Sequence, residues 1–355
     1  AKKNAVTALR FFSTTSKFPE NTGSGVVKAA RLRNEWKDLV RFAGQKYNWS
    51  TKEFDTYTSA FAYGLVERGF QPGDKLLIWI DAEQSAEIAT AQVGAFKAGV
   101  STVTVDDQDE VHHIANTLEE SGSRGLLLSP HTKLDGKNQR ANLFLEIMPE
   151  LTEARPGQEL EPKNFPKLKN IMHTGHFTIR GMTKFKENML YTKKKFTNLR
   201  LPGTEPDSTA MECYKKGDRV SSITHSELIQ KAHDVWKNYL NGEDKHLPVF
   251  LTLSLQYPLG MATLLACAMN DRKIFIPSTY NLAKIAKSFH HQKSDVLVCE
   301  EDVYTFEPPE HKLDEVRDNI SNFKKILVAS REGGDLSGSS VFTDIDATHT
   351  NFYMR

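Results

Sequence analysis

Between Met211 and His225 the chain reads Met-Glu-Cys-Tyr-Lys-Lys-Gly-Asp-Arg-Val-Ser-Ser-Ile-Thr-His. Lys215, Lys216 and Arg219 supply positive charge that could meet a phosphate, and a threonine hydroxyl follows at Thr224. A phosphate loop needs more than charge. Its glycines let successive backbone N–H groups curl around the oxygens, and hydroxyls add donors. Here Gly217 is the single glycine, and Glu212 and Asp218 would bring negative charge toward a triphosphate. On their own chemistry Lys215, Lys216, Gly217, Asp218, Thr224 and His225 therefore do not build such a nest, and no cofactor and no catalysis are expected at them.

Other groups invite chemistry and lose to plainer readings. Gly175 and Gly181 precede Lys184, but a Walker-type loop needs four residues between its glycines and Lys directly after the second; here there are five, and Met182 follows. Asp106, Asp107, Asp109 and Glu110 read as an acidic start to a helix over Glu110 to Glu120, where carboxylates complement the helix dipole. They lack the paired ligands of a metal site, and none is expected. His112 and His113 are adjacent and cannot share a helical face. His290 and His291 read as the cationic close of a helix. Lys184, Lys186, Lys193, Lys194, Lys195 and Arg200 alternate with Phe185, Tyr191 and Phe196. In a chain of net charge +1 that segment suits a solvated face or an acidic protein surface, not nucleic acid.

The elements that must position these groups alternate. Tyr57, Ala60, Phe61, Gly64, Leu65 and Arg68 recur at helical spacing, Gly69 stops the helix, and Gln71-Pro72-Gly73-Asp74 is turn chemistry. Lys75 to Ile80 is strand-like. Asp81 and Gln84 resemble a capping box for a helix over Glu83 to Lys97, which Gly99 ends. Val100 to Val105 and Gly125 to Ser129 are further strands, and residues 28–54 read as an amphipathic helix (Ala29, Leu32, Trp36, Leu39, Val40) with a loop. Beyond a proline-rich loop, Leu168 to Thr174 reads as a strand. Thr224 and Glu227 form a capping box for a helix lined by Leu228, Ala232, Val235 and Tyr239. Strands over Pro248–Leu255, Lys273–Pro277, Asp295–Cys299 and Phe323–Ala329 alternate with helices from Leu259 to Met269 and Asn281 to His290. Helix and strand in turn predict parallel sheets.

The order of Tyr57-Thr58, a helix, Gly69-Phe70-Gln71-Pro72-Gly73-Asp74-Lys75, an apolar strand, a helix, Phe96-Lys97-Ala98-Gly99 and a strand resembles the N-terminal part of AMP-forming acyl-CoA synthetases. The likeness extends to about Ser129 and resumes at Thr224-His225. It implies an α/β fold of two stacked subdomains with largely parallel sheets. In that family a Thr-His pair follows a loop of the type Thr-Ser-Gly-Thr-Thr-Gly-x-Pro-Lys-Gly that holds the ATP phosphates. Met211 to Ile223 stands there instead. The strand Phe323–Ala329 and Arg331-Glu332-Gly333-Gly334 look like the family's strand before its Gly-Gly turn. The resemblance implies a Tyr-Gly-x-Thr-Glu motif, a ribose-binding Asp and a C-terminal lysine domain beyond it. Residues 335–355 carry none of these and read as a polar tail.

At 355 residues, 39% of them hydrophobic, the chain is long enough for two or three subdomains. Cys213, Cys267 and Cys299 are far apart and suit buried reduced thiols. The apolar stretch Tyr257–Met269 falls short of the roughly 20 residues that cross a bilayer. Residues 1–19 hold Lys2, Lys3, Arg10 and Lys17, a Ser/Thr cluster and no acid before Glu20, a composition of mitochondrial style. The expected organisation is a leader or docking arm over 1–27, a first α/β subdomain over 28–200, a second over 201–334 and a tail over 335–355. The expected role is a non-catalytic, acyl-CoA synthetase-like accessory subunit of a mitochondrial inner-membrane complex, of the respiratory chain or ATP synthase. It would sit on the matrix side, peripheral to the membrane, with protein subunits as partners. The alternatives are a ligand-binding module that keeps an acyl-CoA or nucleotide cleft, and a divergent synthetase completed by another chain.

Overall fold

The computed structural model describes residues 20–106, 109–130, 139–191, 200–277 apart from 243 and 245, 293–300, 323, 325–329 and 342–346. The chain starts with helix α1 (Gly23–Arg33), strands β1 (Asp38–Phe42) and β2 (Tyr47–Ser50), and helix α2 (Thr51–Glu67). Then β3 (Lys75–Trp79), α3 (Ser85–Lys97), β4 (Ser101–Thr104), α4 (Val111–Ser121) and β5 (Gly125–Leu128) alternate as the sequence predicts. After α5 (Gln139–Ile147) come β6 (Asn170–His173) and β7 (Thr183–Lys184). The hairpin β8 (Thr209–Lys215) and β9 (Asp218–Thr224) leads into α6 (His225–Val235). The rest is β10 (Val249–Leu251), α7 (Pro258–Met269), β11 (Ile274–Ile276), β12 (Val296–Glu300), β13 (Lys325–Ala329) and β14 (Phe342–Asp346).

Among the described residues the strands form two seven-stranded sheets. One runs β7-β6-β5-β3-β4-β8-β9 and the other β14-β13-β12-β10-β11-β1-β2. Pairing is parallel throughout except at β8–β9, β1–β2 and β13–β14. The larger core lies between the sheets, where Phe61 of α2 and Phe96 of α3 meet strand residues Leu76, Ile78, Val249 and Val298. A second core packs α4 and α5 on the outer face of the first sheet through Trp79, Ile114, Leu118 and Phe144. Each fully buried side chain of this size contributes about 1.5–3 kcal/mol.

Three expectations are corrected. The helix read over 28–54 is instead α1, started by the Thr22 side chain on Gly25 N–H, followed by the β1–β2 pair. Helical spacing put Leu32 and Trp36 on the buried face, yet they are 76% and 70% exposed. Val40 was part of the same pattern and lies in β1, paired in register with Ile274; long-range pairing outweighed a local periodicity. Residues 335–355 are not wholly a tail, because β14 pairs antiparallel along β13, from Ala329–Phe342 to Lys325–Asp346. The divisions at 27/28 and 200/201 do not match the sheets either. Val26 and Val27 of α1 are core residues, β1 and β2 join the strands after 248, and β8 and β9 join those before 200. The leader over 1–19, Lys193–Lys195, the helix over 281–290 with His290 and His291, and Arg331–Gly334 lie outside the described residues.

Candidate functional site

In open α/β sheets ligands bind beyond the carboxyl ends of the strands where the order reverses. In the first sheet that switch falls between β3 and β5. The residues after these strands meet there, in a polar network the sequence reading missed. The Asp81 backbone N–H donates to Ser129 Oγ at 2.9 Å. Ser129 and Thr174 hydroxyls both donate to Gln84 Oε1 at 2.8 Å. Arg140 from α5 pairs with Asp81 at 2.8 Å and lies over the Trp79 ring. Gln256, from the loop before α7, reaches across with Nε2 to the Ile80 carbonyl at 2.7 Å. The expected Asp81–Gln84 capping box is therefore absent. Gln84 is the N-cap residue of α3 but makes no side-chain cap; its amide is committed to the crevice. The signal available in the sequence was position alone, directly after a predicted strand.

At the degenerate phosphate-loop position the strands run on. β8 continues to Lys215, and β9 starts at Asp218, so only Lys216 and Gly217 turn the chain. Both have positive φ, 52° and 93°, the two-residue hairpin turn whose twist suits the flanking strands. The ladder pairs Lys215 with Asp218, Tyr214 with Arg219, Cys213 with Ser221 and Glu212 with Ser222, with a register shift between Cys213 and Tyr214. Backbone groups that would encircle an anion in a nest are here paired across a hairpin.

The charges around the hairpin face one another. Glu212 is buried and bonds Lys75 Nζ at 2.8 Å, with Arg219 at 4.0 Å. The N–H of Lys216 donates to the Asp109 carboxylate. Burial, and then Asp106, push the Asp109 pKa up; His113 and the Lys216 N–H partly offset this. Asp109 thus reaches the hairpin, while Glu110 stands at the N-cap of α4, at the acidic helix start the sequence predicts, without a side-chain cap bond; Asp107 lies outside the described residues. Lys215, Lys216 and Asp218 are exposed. Thr224 caps α6 in the expected capping box with Glu227. His225 turns away into the core, edge-on to Phe96 at 4.8 Å, and burial pushes its pKa down to about 4. A neutral imidazole packed on a phenyl ring is a core residue here.

Among the described residues no group of three or more His, Cys, Asp and Glu is placed to hold a metal ion. The three cysteines form no disulfide and are buried, and burial raises the Cys267 thiol to about 12.

Two largely parallel sheets, with a polar crevice at the switch point of the first, define an α/β protein. A family model described as AMP-binding enzyme matches residues 28–214, and the chain belongs to that family. Similar solved structures share the fold. The fatty acyl CoA synthetase of Mycobacterium tuberculosis superposes with a TM-score of 0.64 at 12% identity, covering 87% of this chain and 55% of that one. O-succinylbenzoate coenzyme A synthetase of Bacillus subtilis, solved with AMP, gives 0.62 at 13% identity over 92% of this chain and 77% of that one. The luciferase-like enzyme of the nonluminescent mealworm Zophobas morio gives 0.61 at 14% identity over 86% and 66%. The chain thus spans about half the length of the first of these. No curated protein sequence matches it.

Proposed function

We propose that this member of the AMP-binding family is a non-catalytic subunit, kept for its surface within a mitochondrial inner-membrane assembly of the respiratory chain or ATP synthase. The observation that carries the non-catalytic part is the hairpin closed at Lys216-Gly217. A ladder that runs to Lys215 and restarts at Asp218 leaves no curl of free amides for a triphosphate. Catalysis of adenylation depends on pre-placed donors where phosphate charge develops. The neighbouring carboxylates Asp106, Asp109 and Glu212 oppose such an anion.

The accessory role draws support from the surface. Leu32 on α1 and Trp36 just after it are exposed, and Lys52 lies over the Trp36 ring at 3.9 Å. The basic, acid-poor composition of residues 1–19 favours the matrix side. No helix among the described residues is long and apolar enough to cross a membrane.

Ligand-dependent melting tests the first part. A ligand at 100 times its Kd stabilises the native state by about 2.7 kcal/mol, a shift of a few degrees. No shift with ATP, AMP or acyl-CoA is expected, and no pyrophosphate release with mixed fatty acids. Turnover abolished by Lys215→Ala or Lys216→Ala would refute the reading. Native electrophoresis of mitochondrial membranes tests the second part, because a chain that migrates alone is no subunit.

A further inference from the structure

Away from the hairpin, β2, α2 and α3 meet at a cavity of about 300 Å³, at the lower end of small-molecule pockets. Its walls are aromatic for a local reason. Tyr47 and Trp49 are two apart on β2 and so share a face, their rings stacked at 5.6 Å and 17°. Tyr57, from the second turn of α2, meets Trp49 at 4.7 Å. Tyr191 crosses Tyr57 edge to face at 6.2 Å and 82°. Tyr47 and Tyr191 remain 40% and 48% exposed, so two rings stand open at the mouth.

One wall is charged. Glu87 lies in the first turn of α3 and lines the same cavity. Gln45, in the turn between β1 and β2, holds it: Gln45 Nε2 donates to Glu87 Oε2, while Gln45 Oε1 accepts from the Ala86 N–H at 2.9 Å. The carboxylate is thereby held in the lining of the same cavity as the aromatic rings. Burial is the largest influence on Glu87 and raises its pKa; Gln45, Lys186 and His176 act in the opposite sense.

Ring faces carry negative electrostatic potential and a carboxylate adds a full charge. Both attract a cation, and aromatic walls favour one whose hydration is weak. An ammonium wrapped in methyl groups fits both demands, because its surface is apolar while its charge is retained. We propose that the cavity framed by Tyr47, Trp49, Tyr57, Tyr191 and Glu87 binds a quaternary ammonium group, either on a free small molecule or on a lipid headgroup. Lys186 also lines the cavity and competes for the same carboxylate. Its removal should strengthen binding.

The test uses the purified full chain. Choline and tetramethylammonium are titrated by calorimetry beside 3,3-dimethylbutan-1-ol, the uncharged carbon isostere of choline. The expected result is saturable binding of both cations, with the isostere at least about ten-fold weaker, as loss of a cation–aromatic and ionic contact requires. Glu87→Gln keeps the side-chain shape, and Tyr191→Ala alters an exposed ring, so neither should disturb folding. Each should weaken choline by at least about five-fold with an unchanged melting temperature, while Lys186→Ala should tighten it. Sedimentation with phosphatidylcholine and phosphatidylglycerol vesicles separates the sources. Preference for phosphatidylcholine that Tyr191→Ala removes assigns a lipid headgroup; choline binding without that preference assigns a soluble cation. Isostere binding equal to choline overturns the proposal, because the cavity is then merely apolar. So does the absence of any Glu87- and Tyr191-dependent binding in both arms.

Discussion

Two buried ionisable side chains show how single residues set stability here. Lys97 of α3 is 3% exposed, and its ammonium donates to the Asp55 carboxylate at 2.7 Å, to the Asp55 carbonyl, and to the hydroxyls of Thr58 and Ser59. Arg31 of α1 completes the cluster on Asp55. Burial pushes the Lys97 pKa down to about 8 against the pull of Asp55. For Asp55, burial acts upward, but Lys97 and Arg31 more than offset it and hold the carboxyl below its usual range. Removing one partner from such a cluster costs more than removing both. Lys97→Ala should therefore lose about 3–5 kcal/mol in urea unfolding, and Lys97→Met with Asp55→Asn should recover part of it. A double variant no more stable than the single one would show that the charges contribute no penalty of their own. His225 gives the acid limb. Its pKa falls from 6.5 to about 4 on burial, so the unfolded chain takes up a proton that the folded one refuses between those values. Stability from this group is complete above pH 6.5 and drains away as pH falls toward 4. His225→Gln should flatten the urea midpoint over that range; an unchanged slope would place the proton uptake elsewhere.

Among the elements, the β8–β9 hairpin decides the functional reading. Gly217 has φ 93°, and a Cβ there would approach Asn116 Cβ to 3.0 Å. Gly217→Val should cost about 1–3 kcal/mol through strain at the turn, while leaving the response to nucleotides as it was; calorimetric unfolding reads the first and ligand-dependent melting the second. The elements from Lys75 to Leu128 were legible because the strands are short apolar runs and Gly73, Gly99 and Gly122 mark the joints. The hairpin was half legible. The scarcity of glycines was visible in the sequence, but not that the ladder would run on to a two-residue turn at Lys216 and Gly217. The crevice network was not legible at all. Ser129, Arg140, Thr174 and Gln256 are ordinary polar residues in sequence; parallel register aligns the ends of β5 and β6, and the packing of α5 and of the loop before α7 brings the other two. The β1–β2 pair was misread because Leu39 and Val40 happen to continue a helical spacing from Ala29.

At the scale of the molecule, the sheets are not consecutive in the chain. β3 to β9 form one sheet from a single stretch of sequence, whereas β1 and β2 complete a sheet whose other members start at Val249. During synthesis, then, the first-made strands must wait. Until β11 leaves the ribosome, β1 has no neighbour but β2, and an isolated pair of strands is marginal in water. The stretch from Lys75 to Thr224 can assemble meanwhile. Proteolysis of stalled nascent chains should find that stretch protected while Asp38 to Ser50 is still cut, and simultaneous protection of both would contradict this order. The interval leaves these two strands open to a chaperone for as long as translation takes to add the 226 residues from Thr51 to Ile276 at ordinary elongation rates.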